Sequence, residues 1–351
     1  MKRSIIAMII AATLLVGILT GRAQSTQPQQ RQTILFYNVE KLFDTINDPA
    51  IWDDEFTPEG PKKWTSVKYW KKMAQLEKVF LSIATDNKQF PAVIGLSEVE
   101  NRNPLEDIVA MEKLLPANYQ IIHFDSPERR GVDVAFLYRP DQFKYEGSLP
   151  GKTVVEGLPD FDTRDILTMW GSIDDDPFFF MVAHWPSRGG GQMASEFKRI
   201  GAAKTMRRIA DSVLIERPDM NIVMMGDFND DPSDPSIATY LGGNLTPDKS
   251  GPKDFYNPFY QMHMDGYGTL GYNDMWNLFD NIVVNGNLIN GGKSYQLWKN
   301  PKNPYYGNIF DRSFLRQKRG QYKGYPQRTY VGNKFENGFS DPYPVFIFIA
   351  K

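Results

Sequence analysis

The segment Asn221-Ile-Val-Met-Met-Gly-Asp-Phe-Asn-Asp230 passes within ten residues from an uninterrupted apolar run to a cluster of carboxylates and a carboxamide. Ile222 to Met225 reads as a strand covered on both faces, because a strand with one wet face alternates apolar and polar residues. Gly226 lets the backbone turn or come close to a ligand. Asp227, Asn229 and Asp230 then stand at the strand's mouth, and Asp231-Pro-Ser-Asp-Pro235 is loop chemistry. The pattern recurs. Ile34 to Tyr37 runs into Asn38, Ile94 to Ser97 into Glu98, and Phe178 to Ala183 into His184. Asp341 precedes the apolar run Val345 to Ile349, and an antiparallel strand begins at the edge where its neighbours finish. One polar strand end is ordinary; five on one sheet edge would line a cleft with Asn, carboxylates and a histidine.

Asp, Glu and Asn without any Cys or paired His are oxygen ligands, which suit Mg²⁺ or Mn²⁺ better than Zn²⁺. A Mg²⁺ site uses one or two carboxylates and lets a substrate phosphate complete the octahedron. Such an ion polarises a phosphoryl oxygen and steadies the leaving oxygen. Asp227 and Asn229 are then candidates to orient or deprotonate an attacking water, and His184 to stabilise developing charge or move a proton.

The elements that must position these residues are many strands and a few helices. Apolar runs of strand length lie at 33–37, 92–96, 119–124, 132–138, 167–173, 178–183, 222–225, 278–284 and 345–349. Helical periodicity runs through Val67, Trp70, Met73, Leu76, Phe80 and Ile83, with Thr65 or Ser66 as cap. A second stripe is Leu105, Ile108, Met111 and Leu115, entered through Asn103-Pro104, and a third runs from Phe197 to Val213. The order suggests two packed sheets with helices outside. No GxGxxG or GxxxxGK[ST] is present, which argues against a doubly wound nucleotide fold. Residues 242–277 are rich in Gly, Pro, Asn and Asp and read as a long excursion. Trp64, Trp70 and Trp185 read as core.

Lys2 and Arg3 ahead of the apolar stretch Ile5 to Leu19, with small residues around Ala23, read as a signal peptide over residues 1–23. Residues 24–31, polar and Gln-rich, read as a disordered lead-in to one domain at 32–351. The expected protein is exported and bacterial, periplasmic or extracellular, without stable membrane insertion after cleavage. Cleavage removes three positive charges (Lys2, Arg3, Arg22), moving the formal balance from −2 to −5. Such a protein does not grip nucleic acid by bulk charge. Zero cysteines exclude disulfides and thiolate metal sites.

Asn38-Val-Glu-Lys-Leu-Phe-Asp44, Ser97-Glu-Val-Glu-Asn101, Gly131-Val-Asp-Val-Ala135, His184-Trp-Pro-Ser-Arg188, Gly226-Asp-Phe-Asn229, Trp276-Asn-Leu-Phe-Asp280 and Ser340-Asp341 together resemble the endonuclease/exonuclease/phosphatase superfamily. The resemblance runs from about Thr33 to Ala350, with deoxyribonuclease-I-like exported bacterial members as the nearest kind. It implies an α+β fold: a four-layer α/β/β/α sandwich of two packed, mostly antiparallel sheets with helices outside. It also implies that Asn38, Glu98 and Asp341 serve a Mg²⁺ or Mn²⁺ ion, Asp227 and Asn229 the water and phosphate, and His184 the transition-state charge. The expected activity is metal-dependent hydrolysis of phosphate esters by direct water attack, with nucleic acid as first-choice substrate. Sugar, nucleotide and lipid phosphates follow.

One position departs from that pattern. The family has a histidine after the aspartate at 341, paired with the aspartate matching Asp280; this chain has Pro342. Proline offers no proton, side-chain acceptor or charge. Asp280 is expected to be hydrated or bound to something else. General acid–base groups contribute about 10²–10⁴-fold, whereas phosphoryl transfer otherwise rests on positioning and electrostatics. The expectation is an impaired enzyme, or one confined to good leaving groups; the rival is a non-catalytic binder of metal and phosphate. His123 reads as structural and His263 as a surface residue. Arg188 with Gly189 to Gly191 is a candidate phosphate contact. Arg164 is weighed between a pair with Asp165 and a substrate role, and the basic stretch Arg312 to Arg328 between a solvated loop and a nucleic-acid track.

Overall fold

Alternation along each strand sets the layers. The computed structural model of the chain describes residues 30–244, 246–247, 251–291 and 294–351. The signal-peptide reading therefore lies outside the described residues, as does all but the end of the lead-in. A first sheet contains β1 (Arg31–Leu42), β2 (Val93–Val99), β3 (Gln120–His123), β4 (Asp133–Tyr138), β14 (Gln296–Trp298), β15 (Gly307–Ile309) and β18 (Val345–Ala350), in the order β14-β18-β1-β2-β4-β3, with β15 also on β18. A second contains β5 (Lys144–Gly151), β6 (Ile166–Ile173), β7 (Asp176–His184), β8 (Asn221–Asp227), β9 (Gly243–Asn244), β10 (Phe255–Tyr256) and β13 (Asp280–Asn285), in the order β5-β6-β7-β8-β13-β10-β9. Two hairpins stand apart: β11–β12 (Leu270–Tyr272, Met275–Asn277) and β16–β17 (Tyr330–Val331, Lys334–Phe335).

Ile34 and Phe36 of β1, with Val93 and Phe136, face the second sheet and meet Phe180, Val182, Val223, Met225 and Ile282. Their alternates Leu35, Tyr37, Ile94 and Leu96 pack beneath helix α1 (Ser66–Asn87). On the far side Met181, Ile222, Met224 and Val283 pack beneath Ala202, Ala203, Met206 and Ala210 of helix α3 (Gln192–Glu216). The layers are therefore helix, sheet, sheet, helix, and the apolar run 222–225 is covered on both faces. Each fully buried Val, Leu, Ile, Phe or Met among them contributes about 1.5–3 kcal/mol. Gly95 lets the sheets approach directly behind the polar edge: a Cβ there would lie 2.5 Å from the Met225 sulfur.

Several boundaries differ from the sequence reading. The lead-in ends one residue early, because Arg31 already belongs to β1 and donates to the Asn87 carbonyl at 2.8 Å. The α1 stripe is Tyr69, Met73, Leu76, Phe80 and Ile83; Val67 and Trp70 are 64% and 49% exposed, so Trp70 is not core. Helix α2 (Arg102–Val109), capped by Asn101 through the Asn103 N–H, stops before Met111 and Leu115. The excursion 242–277 supplies β9 and β10 to the second sheet. Among the described residues no helix is long and apolar enough to cross a membrane.

Candidate active site

Parallel pairing places strand ends together. β1 and β2 run parallel and deliver Asn38 and Glu98 to one edge. β7 and β8 run parallel with His184 opposite Asp227, and antiparallel β13 begins with Asp280 opposite the same Asp227. β18 is antiparallel to β1, so Asp341, just before it, arrives at the edge where β1 leaves. The result is a cleft of about 570 Å³. Its walls include Asn38, Glu98, His184, Asp227, Asn229, Asp280, Asp341 and Pro342, with Arg130, Arg164, Trp52, Phe56 and Phe279.

Side-chain contacts tie the two sheets together at this edge. Asn38 Nδ2 donates to Glu98 Oε1 (3.2 Å) and to Asp227 Oδ2 (3.0 Å), while its Oδ1 accepts from the Glu40 N–H (2.9 Å). The amide therefore turns its nitrogen, not its oxygen, toward the acids. As placed, Asn38 bridges two carboxylates. Glu98 and Asn229 hold left-handed backbone, with φ of 62° and 52°. Asparagine tolerates this conformation, whereas for Glu98 it is strain of the kind concentrated at functional sites. The Lys41 N–H secures Glu98 Oε2 at 3.0 Å. Asp227 Oδ1 accepts from the Asn229 N–H (3.0 Å), and Asn229 Nδ2 donates to the Trp185 carbonyl (3.0 Å).

Burial dominates the electrostatics. It pushes Asp227 up to about 6, against the hydrogen bonds from Asn38 and the Asn229 N–H and together with the charges of Glu98 and Asp341. Glu98 is raised by burial and then by Asp341. His184 is driven well below its usual value by burial, then by Arg164 and Arg130. Its Nε2 lies 3.7 Å from Asp227 Oδ2, and this contact joins a neutral imidazole to a carboxylate. Its Nδ1 is buried without a partner.

Asp280 has found a substitute for the missing histidine. Thr269 Oγ1 donates to its Oδ2 at 2.5 Å, and the Thr269 carbonyl accepts from the Tyr343 N–H. Asp280 Oδ1 stays buried and unpartnered, and burial with the Asp227 charge raises its affinity for a proton well above the usual range. Nothing brings another histidine here. His263 is 3.6 Å from Asp231 and within hydrogen-bond reach of Ser233. His123 sits between Asp125 and Asp133 at the end of β3, each 3.9 Å away.

The arginines fall differently from the sequence reading. Arg164 lines the cleft, yet it donates to the His184 and Trp185 carbonyls (3.0 and 2.7 Å) and pairs with Glu128 (2.8 Å), not with Asp165. It positions the β7 end and is not free to hold substrate. Arg188 lies outside the cleft lining, held by Asp230, Asp231 and Asp234 and by the Asn229 carbonyl. Three acids saturate it, so it serves as a brace for the loop carrying Asn229. Arg130, which strand-end reasoning missed, reaches the cleft from the loop after β3, its guanidinium about half exposed and paired with Glu128. Its neighbour Gly131 opens the Gly-Val-Asp-Val-Ala motif, the one signal that pointed to this loop. Of the basic stretch, Arg312 pairs with Asp86, Arg316 with Asp311, and Arg328 with Glu40 and Asp341.

Glu98 and Asp341 fit a divalent cation by donor type and charge. Both are oxygen donors, and the charge of Asp341 adds to the buried Glu98's demand for positive charge. Asp341 keeps Oδ1 available while Arg328 holds Oδ2 at 2.5 Å. Among the described residues, three His/Asp/Glu ligand atoms within 4.8 Å of one another occur at His123, Asp125 and Asp133, outside the cleft. Two carboxylates suit an ion that retains waters and takes its remaining ligands from phosphate.

Two mixed sheets packed face to face, helices outside both, and an acid-lined cleft where the strands end define an α+β sandwich with a hydrolase-type site. The chain belongs to the endonuclease/exonuclease/phosphatase family, whose model matches residues 33–351. The family joins nucleases and phosphatases, hydrolases of phosphate esters. No curated protein sequence matches the chain. Among solved structures it is similar to TDP2 of D. rerio complexed with single-strand DNA product (12% identity, 92% of this chain and 100% of that one, TM-score 0.53). It is also similar to a mannosyl-6-phosphatase of Bacteroides thetaiotaomicron VPI-5482 (14% identity, 91% and 100%, TM-score 0.54). A family protein from Bacteroides thetaiotaomicron gives 15% identity over 93% and 96%, with a TM-score of 0.53. At these identities the likeness is one of fold.

Proposed function

We propose that the chain is a divalent-metal-dependent phosphoesterase that cleaves P–O bonds by direct attack of water. One observation carries this reading: Asn38 joins Glu98 to Asp227, so a cation-binding end and a water-binding end meet in one cleft. Glu98 and Asp341 would hold Mg²⁺ or Mn²⁺, which when bound polarises the phosphoryl group. Asp227, raised to about 6, is poised to accept the water's proton near neutral pH. Asn229 fixes the Asp227 carboxylate through its N–H. Neutral His184 offers a hydrogen bond to developing charge, and Arg130 meets the phosphate. Export through residues 1–23, to the periplasm or beyond the cell, is part of the proposal on sequence grounds.

Nucleic acid, the first-choice substrate on sequence grounds, has the fold likeness to a DNA-bound TDP2 in its favour. The exposed acids Asp54 and Glu55 in the cleft lining and the paired state of Arg312, Arg316 and Arg328 favour a compact phosphate ester. Pro342 in the cleft wall supports a second reading, a homologue that binds metal and phosphate without turnover. A panel of phosphomonoesters and phosphodiesters with Mg²⁺ or Mn²⁺, with Glu98→Ala as control, decides between them. Metal-dependent hydrolysis abolished by Glu98→Ala is the expected result. Metal binding without hydrolysis of any ester sinks the enzymatic reading.

A further inference from the structure

We infer that the chamber between the β11–β12 hairpin and residues 317–332 receives the leaving group of the substrate, and that this group is a neutral sugar ring. The inference rests on the phosphoesterase reading above and adds the substrate class, a sugar phosphate. The chamber holds about 350 Å³ and shares Lys41, Phe56, Leu270 and Asp341 with the main cleft. It therefore opens from the Asp341 end. Displacement at phosphorus keeps the entering and leaving oxygens roughly in line. A water held by Asp227 and Asn229 puts the departing oxygen on the other side, toward Asp341 and this chamber. In that step the water oxygen forms the new P–O bond and gives its proton to Asp227. The bond from phosphorus to the sugar oxygen breaks, and that oxygen takes a proton from solvent.

The walls say what the departing alcohol is. The rings of Tyr272 and Tyr322 are 64% and 48% exposed. Tyr325 stacks on Tyr322 (6.4 Å between centroids, 28° between planes) and is seated on Gly271, where a Cβ would lie 2.7 Å from the ring. The carboxamides of Asn273 and Gln317 line the same chamber and make no side-chain hydrogen bond among the described residues. Flat apolar faces beside a few free amides suit a ring with apolar C–H faces and a rim of hydroxyls. Two of the three cations in the lining are engaged. Arg328 answers Glu40 and Asp341, and Lys62 donates to the Gly332 carbonyl and faces Glu55 at 4.0 Å. Among the described lining residues the one cation without an ion pair is Lys41, which the chamber shares with the main cleft, so further phosphates of a nucleotide would find no such cation beyond that shared boundary. The volume is near the small end of ligand pockets, roughly 300–1,000 Å³, enough for one ring or two and too little for a polymer.

The test compares hexose 6-phosphates, methyl phosphate and a dinucleotide phosphodiester as substrates of wild type, Tyr272→Ala, Tyr322→Ala and Tyr322→Phe. Loss of one stacking face should raise KM for the hexose phosphates by ~3- to 10-fold, with a much smaller change in kcat and for methyl phosphate. Tyr322→Phe should retain most of the wild-type KM. Equilibrium binding of a hexose phosphate to the metal-free protein, read by calorimetry, should weaken in parallel. Faster turnover of the dinucleotide than of any hexose phosphate overturns the inference, and so does an equal penalty on every substrate. If no ester is hydrolysed but hexose phosphate binds and both alanine variants weaken it, the hydrolytic reading fails and the chamber assignment stands.

Discussion

At the end of the cleft built by the second sheet, main-chain groups hold the working side chains. Asp227 is fixed by the Asn229 N–H, Asn229 by the Trp185 carbonyl, and the β7 end by Arg164 acting on two carbonyls. At the first-sheet end the Lys41 N–H still holds Glu98, but Asp341 is held by charged side chains. Arg328 grips Asp341 and Glu40, and buried Lys72 faces the same acids while donating to Thr329 and the Phe339 carbonyl. Burial raises Glu40 to about 7 and lowers Lys72 to about 8. The contrast teaches that the Asp227 end is set by the strand ladder, whereas the Asp341 end is set by a balance of charges.

The largest effect should come from the ladder-held end. Asp227→Asn keeps the shape and removes the base, so kcat should fall ~10²–10⁴-fold with KM little changed; a loss confined to KM would break the assignment. Arg164→Met should cost ~1–3 kcal/mol of stability by leaving the buried His184 and Trp185 carbonyls without their donor, measured by urea unfolding. A cost confined to His184-dependent activity would mean the arginine is not a brace. Pro342→His should raise any hydrolytic rate by at least ~10-fold, a modest fraction of what one acid–base group supplies. Because Thr269 already occupies Asp280, the gain should grow in Pro342→His combined with Thr269→Val. No gain in either, in an already fast enzyme, would show that the corner was never deficient.

The smallest effect concerns the charge-held end. Glu40 and Asp133 are raised to about 7 and Glu100 to about 8. These folded-state values exceed the unfolded ones, so the associated stability is complete in acid and is lost as pH rises through them. His184 is depressed and slopes the other way, but only below about pH 6.5, its unfolded value. Lys72, lowered to about 8, opposes the acids only as that value is approached, so between about pH 6.5 and 7.5 the acids set the slope and the Tm of metal-free protein should fall. Excess Mg²⁺ should recover part of that fall by answering Glu98 and Asp341. A Tm that rises across this window, or ignores Mg²⁺, would contradict the charge-balance account.

Strands buried on both faces were readable because apolar runs such as 222–225 have no competing explanation. Edge strand β5 was not, since Lys144 to Gly151 is largely solvated and carries Gly and Pro. The α1 stripe was placed early at Val67 and Trp70, because apolar residues on the first turn match a helical period without being covered. Strand-end reasoning found Asn38, Glu98, His184, Asp227 and Asp341 in one cleft and the family resemblance added Asp280, but neither could see which way an amide turns, so Asn38 reads as a bridge only in three dimensions. Arg130, Arg328 and Thr269 come from loops, whose positions depend on contacts that no local pattern encodes. Arg188 carried a loop signal of glycines, but three acids claim it.

β1 and β18 lie side by side in the first sheet, and Ser340 donates to the Asn38 carbonyl across 302 residues of sequence. Closing so long a loop is entropically expensive, though the cost grows only slowly with length, and such distant pairings form late. The acid that completes the cleft wall arrives just ahead of β18, the last strand in chain order among the described residues. Any stretch of the chain made before Asp341 therefore lacks one wall of the cleft.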